Sequence, residues 1–468
     1  PPPVPPSSPL VRGLTLVAAV AVVVATVVGT GVFLKARVMT CNVGTPGMVL
    51  GVWVGAGLLS LAGALTYAEL GAMMPRSGGE YAFLGAAYGR RWAFLFGWMS
   101  TFIEKGGGQA AVALALVIFL NDLLGGALDP LAVRLLPVGV IAVATALNLA
   151  SVRASGQVAT ALTVVKVALV LGVGAGAFFL AGGALEHFAR SGAAGACEGV
   201  PASARLGPSG FGAALLGALW GYHGWNTLTQ LGGEVRDPQR TIPRALIGGT
   251  LLIIALYVFV NAAYFWVLAP EAVASLPASA SVAVEAARRF LGPAAVGVMA
   301  AGLVASSFGT LHTIILSGSR VTYAMAADGL LPRALARVSP GARVPSTSVL
   351  FHGAWASVLA LTGSFDALTN YAVFGAWIFY GMTAAAVFVL RRRWPDAERP
   401  YRTWGYPVVP ALFLLVTAFL LVTTVLATPV EALTGIGLIL LGLPVYAYYA
   451  RRAGPERDEP APAAPGGD

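Results

Sequence analysis

Between Arg12 and Lys35, Arg205 and Glu234, Arg244 and Glu271, Phe290 and Arg320, Arg343 and Asp366, and Asp366 and Arg391, this chain carries no charged side chain. Each stretch exceeds the roughly 20 residues that a helix needs to cross the hydrocarbon core of a bilayer. Segments near 42–68, 135–152, 407–428 and 432–450 have the same character. Two others hold charge inside: the third span, about 92–120, contains Glu104 and Lys105, and the fifth, about 154–182, contains Lys166. The sequence predicts an all-α membrane protein of 12 transmembrane helices in one domain, because no soluble fold needs 57% hydrophobic against 10% charged residues.

A net charge of +9 would suit nucleic acid if it were clustered, but the basic residues follow alternate loops. With the N-terminus in the cytoplasm, twenty arginines fall on inner loops and tails, and seven basic residues, among them Lys35, Arg37 and Arg134, fall on outer loops. That bias is the positive-inside pattern. It predicts a multi-pass inner-membrane protein with both termini cytoplasmic, the lipid bilayer as its surroundings and no nucleic-acid partner. Cys41 and Cys197, both on the outer side, give no disulfide framework and no metal spacing; two free thiols are expected, with a bridge between them as the alternative. Residues 1–12 read as a disordered cytoplasmic lead and 453–468 as a disordered cytoplasmic tail.

The twelve spans fit a five-plus-five arrangement: 13–182 as a first repeat (helices 1–5), 206–393 as a second (helices 6–10), and 403–452 as helices 11–12. Five is odd, so the second repeat runs inverted, and helices 1 and 6 become partners near the midplane. Both are interrupted by glycine, at Gly29-Thr30-Gly31-Val32-Phe33 and at Gly221-Tyr222-His223-Gly224-Trp225-Asn226. A helix broken in lipid exposes backbone groups that cost several kcal/mol apiece, so discontinuous helices persist where the interior uses what they free. At the first break, amides of Thr30, Gly31 and Val32 would head a half-helix and attract a carboxylate. At the second, carbonyls of Trp220, Gly221 and Tyr222 would accept from an ammonium. Donors facing acceptors suit an α-amino acid zwitterion; the bland alternative is two kinks that merely bend helices. Gly55, Gly57, Ala62, Gly63 and Ala64 read as a packing stripe.

The first break resembles the G-S-G-I-F element of amino acid-polyamine-organocation transporters, with Thr30 for Ser and Val32 for Ile. Trp220-Gly221-Tyr222-His223-Gly224-Trp225-Asn226, then Glu234-Val235-Arg236-Asp237-Pro238-Gln239-Arg240-Thr241-Ile242-Pro243-Arg244, is similar to the F-A-Y-x-G-W-N…E-V-x-N-P-x-R-x-[LI]-P-R of the L-type amino acid transporter branch. Ser306-Ser307-Phe308-Gly309, Ser319-Arg320, Gly329-Leu330-Leu331-Pro332 and Phe351-His352-Gly353 extend the likeness over roughly 13–405. The resemblance implies a leucine-transporter-type 5+5 inverted repeat and sodium-independent amino acid exchange. By position it implies that Thr30 and Gly31 bind the substrate carboxylate, Trp220 and Gly221 its amino group, with Trp220 a gate, Asn226 a polar support, and Val27 and Gly29 against the pocket. His223 and Ala376 depart from the family pattern, which leaves side-chain preference open.

Lys166 is the most telling single residue, since a charge near mid-bilayer costs at least ~2.5 kcal/mol and needs partners. The resemblance implies an ammonium where sodium-coupled relatives hold their cation, bonded to the Gly29 carbonyl and to Ser306 or Ser307. A proton carrier and a simple pair with Glu104 are the competing roles. Glu234 and Arg320 are candidates for an inner gate, against a default reading as an ordinary surface pair.

The sequence thus predicts a sodium-independent exchanger of small or medium neutral L-amino acids, no enzyme, with no cofactor, no metal set and no phosphate loop. A proton-coupled symporter using Lys166, a cationic amino acid or polyamine exchanger, and a membrane amino acid sensor stand as alternatives. The loop Asn121 to Arg134 lacks the cysteine by which eukaryotic relatives link a heavy subunit, so no disulfide-linked partner is expected.

Overall fold

The computed structural model describes residues 10–29, 31–277, 280–362, 365–427 and 429–452. Among them the chain is helical, with no strand beyond isolated bridges of Leu14 with Val235 and Ser77 with Leu231. Among the described residues, nine helices are long and apolar enough to cross a membrane, or ten when α1 (Leu16–Val27) and α2 (Gly31–Val43), bent by 44° at their break, count as one. Two more apolar helices, α9 (Gly207–Gly221) and α15 (Ser346–Thr362), have 15 and 17 residues and fall short of that length.

Helix starts follow the local sequence. Thr45 caps α3 (Pro46–Met73) by accepting the Met48 amide at 3.3 Å, with Pro46 supplying the helical φ of the first turn. Between α3 and α5 (Arg90–Trp98) lies the short α4 (Glu80–Tyr88). The third span then widens into a π-helix, Met99–Lys105, before resuming as α6 (Gly106–Leu123). The chain continues as α7 (Pro130–Asn148) and α8 (Val152–Phe179). After α9, the four-residue α10 (Thr227–Gln230) leads to α11 (Pro238–Val267). The short α12 (Pro270–Ala274) and α13 (Val282–Leu291) then precede α14 (Ala294–Ala327). Following α15 come α16 (Phe365–Arg393), α17 (Val408–Ala427), α18 (Pro429–Leu440) and α19 (Gly442–Arg452).

The main core joins α1, α3, α8, α9, α11 and α14 through residues such as Val23, Trp53, Val170, Leu246 and Leu303. The small-residue stripe on α3 has a steric cause at two positions: a Cβ on Gly57 would stand 2.5 Å from Ile254, and one on Gly63 would stand 2.6 Å from the Trp225 ring and 2.7 Å from Phe413. Glu69 on α3, 1% exposed, takes Arg391 of α16 in two bonds of 2.7 and 2.9 Å and the Thr403 amide at 2.6 Å.

Three expectations need correction here. Cys41 and Cys197 are bonded to each other across 156 residues of sequence, in an apolar nest with Val200 and Ala274, rather than being free thiols. The pair Glu234–Arg320 is no surface pair, since both side chains are 0% exposed. The end of the expected lead is packed: Leu10 is buried, and the Arg12 carbonyl accepts from Arg236 Nε at 3.2 Å. Residues 1–9 and the tail 453–468 lie outside the described residues.

Candidate functional site

Helix α1 stops at Val27 and the chain resumes as a helix only at Gly31. In an unbroken helix the Ala25 carbonyl would take the amide of residue 29. Here Lys166 Nζ, from α8, donates to the carbonyls of Ala25 at 2.6 Å and Val28 at 2.9 Å, and to Thr310 Oγ1 of α14 at 2.6 Å. A helix C-terminus carries partial negative charge, so the ammonium meets both freed acceptors and a favourable dipole. All three of its protons are placed, which offsets the cost of burying the charge. The expected partners differ by one turn: neither Gly29 nor Ser306 nor Ser307 receives it, and Ser306 Oγ has no partner among the described residues. Thr310 was missed although it lies four residues beyond Ser306, on the same helix face. The expected link from Lys166 to Glu104 is not formed either, because Glu104 binds Lys105 at 3.0 Å.

The second break follows α9, where the chain makes tight turns through Tyr222 to Asn226 and Gly224 adopts φ +102°, a left-handed conformation that favours glycine. Tyr257 of α11 ties the two breaks together. Its hydroxyl lies 3.0 Å from the Val27 carbonyl and 3.0 Å from the Gly221 carbonyl. Thr26 Oγ1 adds a bond to the Gly224 carbonyl at 3.1 Å. Nothing in the apolar run around Tyr257 marks it in sequence as a bridge. We expect Tyr257→Phe to remove the one proton that the two carbonyls share and to destabilise the protein by about 1–3 kcal/mol, measured as a lowered thermal midpoint in detergent. An unchanged midpoint would mean that water takes over the hydroxyl's role.

The breaks enclose a cavity of about 150 Å³ lined by Thr26, Val27, Gly29 and Gly31 on one side and Trp220, Gly221, His223, Gly224 and Thr227 on another. Glu104, Lys105, Ser307 and Thr310 complete its polar wall, and Ala111, Val112, Ala115 and Ile314 its apolar wall. A cavity of that size accommodates a molecule like benzene. Gly31 is close-set: a Cβ there would stand 3.1 Å from the Trp220 ring and 3.2 Å from the Gly221 Cα. The π-helix, whose wide turn sequence periodicity does not signal, brings Glu104 and Lys105 together at this wall.

Of the residues singled out by sequence, Val27, Gly29, Gly31, Trp220, Gly221, His223 and Ser307 line the cavity. Three of the expected substrate contacts are buried outside its lining. Val32 sits in the core, Tyr222 donates to the Trp53 carbonyl at 3.1 Å, and Asn226 bonds the buried carboxylate of Glu80. Thr30 lies outside the described residues. The free carbonyls expected at the second break are partly engaged, Trp220 with the His223 amide at 3.1 Å and Gly221 with Tyr257. Each keeps a second lone pair. Arg320 donates to both Glu234 oxygens, at 2.8 and 2.9 Å, and to the Leu316 carbonyl and Ser319 Oγ, each at 3.0 Å.

A family model described as amino acid permease matches residues 14–448. The serine/threonine exchanger SteT of Bacillus subtilis is 32% identical over 446 residues, covering 93% of this chain and 96% of that protein. The b(0,+)-type amino acid transporter 1 of Homo sapiens is 31% identical over 447 residues, 94% of this chain and 88% of that protein. The human large neutral amino acids transporter small subunit 2 is 32% identical, covering 93% and 80%.

Proposed function

The chain belongs to the amino acid permease family, and from that premise we propose that it is a sodium-independent exchanger of small neutral L-amino acids working by alternating access. The observation that carries this reading is the ammonium of Lys166 bound at the end of α1, beside a cavity walled by both helix breaks. A fixed cation in that position leaves no role for sodium. Amides heading α2 at Gly31 would hold the substrate carboxylate, and the remaining lone pairs of Trp220 and Gly221 its ammonium, with Thr30 in the family's hydroxyl position. Trp220, which stands over Gly31, would close the cavity from one side, and Glu234 with Arg320 would hold it shut from the other.

The cavity's modest volume supports small side chains. Glu104 is its acidic group and is already engaged by Lys105, which disfavours a cationic amino acid or polyamine. The serine/threonine specificity in the name of the Bacillus relative agrees with the polar wall of Thr26, Thr227 and Ser307. The proposed architecture counts α9–α10 and α15 as spans, giving twelve in a 5+5 inverted repeat over 13–182 and 206–393 with 403–452 appended. The Cys41–Cys197 bond belongs to an oxidising face, which supports placing that end outside an inner membrane and both termini in the cytoplasm. It also consumes both cysteines of the sequence, leaving no thiol for a linked subunit.

Counterflow in proteoliposomes tests the reading. Labelled serine, threonine or alanine is expected to enter only vesicles preloaded with an unlabelled small neutral amino acid, equally in sodium and choline buffers. Competition by tryptophan or arginine should be weak. Uptake into empty vesicles driven by a pH gradient would instead select symport, and binding without flux a sensor.

A further inference from the structure

Glu80 is fully buried at the start of α4, outside the membrane-spanning helices, and the transport reading above gives it no work. It follows the last residue of α3, Met73, by seven residues. Its Oε1 accepts from Asn226 Nδ2. Asn226 Oδ1 accepts from the Tyr380 hydroxyl at 2.9 Å, and the Tyr380 oxygen is 3.3 Å from His223 Nδ1. The other ring nitrogen, Nε2, is 3.6 Å from Glu104 Oε1 in the cavity wall. One file of polar contacts therefore joins a buried carboxyl outside the cavity lining to the cavity wall.

The donors in this file have two self-consistent orders. An ionised Glu80 can only accept, so Asn226 turns its amide nitrogen towards it and its oxygen towards Tyr380. Tyr380 then donates to Asn226 and offers its lone pair to a donor, which fits a His223 protonated on Nδ1 as well as on Nε2 beside Glu104. A protonated Glu80 reverses each bond: it donates to Asn226 Oδ1, the amide nitrogen faces the Tyr380 oxygen, Tyr380 donates to His223 Nδ1, and the ring is neutral. Gln230 serves both orders too. Its Nε2 donates to Glu80 Oε2 at 3.3 Å and can do so whether or not Oε1 carries a proton.

We propose that Glu80 is a proton-binding site coupled to the cavity through Asn226 and Tyr380, so that a proton gained by Glu80 is one lost by His223, and the reverse. The proton that Glu80 gains comes from water and the one that His223 loses returns to water; the Asn226 amide only turns over and carries none. Burial pushes the Glu80 carboxyl up to about 7, against the lowering pulls of its own amide, Lys105 and Asn226. The charged and titratable groups that act on Glu80 are Lys105 and Glu104 from the π-helix, Tyr67 from α3 and Tyr380 from α16. Asp328, beside the same short helix, bonds Tyr81 instead at 2.8 Å. His223 faces Glu104 and stacks on Tyr380 with ring centres 5.6 Å apart. A substrate that alters the charge of His223 thereby takes up or releases a proton at the opposite end of the file.

The test is a ring titration. The chain has four histidines, so nitrogen-15 histidine spectra in nanodiscs, with His223→Gln to identify the signal, report the charge of this ring against pH. Glu80→Gln, which can donate to Asn226 Oδ1 as a protonated carboxyl would, is expected to lower the His223 midpoint by at least about one pH unit. In a Tyr380→Phe background the same replacement should leave the midpoint where it was. Equal displacements in the two backgrounds would reduce the effect to charge acting through space and overturn the proposal, as would no displacement in either. Asn226→Leu cuts the same file and replaces Tyr380→Phe should that variant not fold. The readout does not depend on which amino acid is carried, so its failure is separable from failure of the transport reading.

Discussion

Lys166→Met is expected to reduce amino acid counterflow to the level of protein-free vesicles while the chain still reaches the membrane. Methionine fills much of the lysine's volume but donates nothing. The carbonyls of Ala25 and Val28 and the hydroxyl of Thr310 would each lose a partner held at 2.6 to 2.9 Å. Each buried acceptor left without a donor costs about 1–3 kcal/mol. The end of α1 would relieve that cost by shifting, and that end forms one wall of the cavity. Lys166→Ala should do the same and add a void beside Gly309, where a Cβ would stand only 3.2 Å from Lys166 Cε. Restoring flux in Lys166→Ala with added sodium would show that the ammonium occupies a cation's place. Wild-type counterflow in Lys166→Met would remove the ground for the proposed exchange mechanism altogether.

Arg320→Ala should lower stability more than any other single change considered, by about 3–5 kcal/mol, because it strands the carboxylate of Glu234 in a site with no exposure. Loss of the monodisperse peak on heating in detergent measures this. Replacing both partners by apolar residues, Arg320→Met with Glu234→Leu, should recover most of the loss, since a buried pair adds little over a well-packed apolar one. The double variant also separates two roles. If the pair is a gate that parts during the cycle, the double variant folds yet has altered turnover. If it is only a strut, recovered stability brings recovered counterflow.

The helical membrane fold was legible because uncharged runs of span length leave little choice, and the two breaks were legible because their glycines fall in the two spans that an inverted repeat pairs. The belonging of Gly31, Trp220, Gly221 and His223 to one cavity followed from pairing those breaks. What could not be read depended on helical phase and on the third dimension. Lys166 reaches Ala25, Val28 and Thr310 and not their neighbours because the exact residue at which α1 ends selects which carbonyls are free. Tyr257 and Glu80 lie far in sequence from what they bond. The burial of Glu234 and Arg320 was hidden because both sit near span ends, where charged pairs are ordinarily wet. The bond between Cys41 and Cys197 escaped because two cysteines alone define no pattern.

That bond has a mechanical consequence. It fastens α2, two residues from its last turn's end at Val43, to the segment that leads into α9. Arg37 Nη1 reinforces the attachment by donating to the Glu198 carbonyl at 2.9 Å. Helix α2 cannot swing alone: any tilt drags this staple and the start of α9 along as one lever, and the bending is concentrated at the break between α1 and α2.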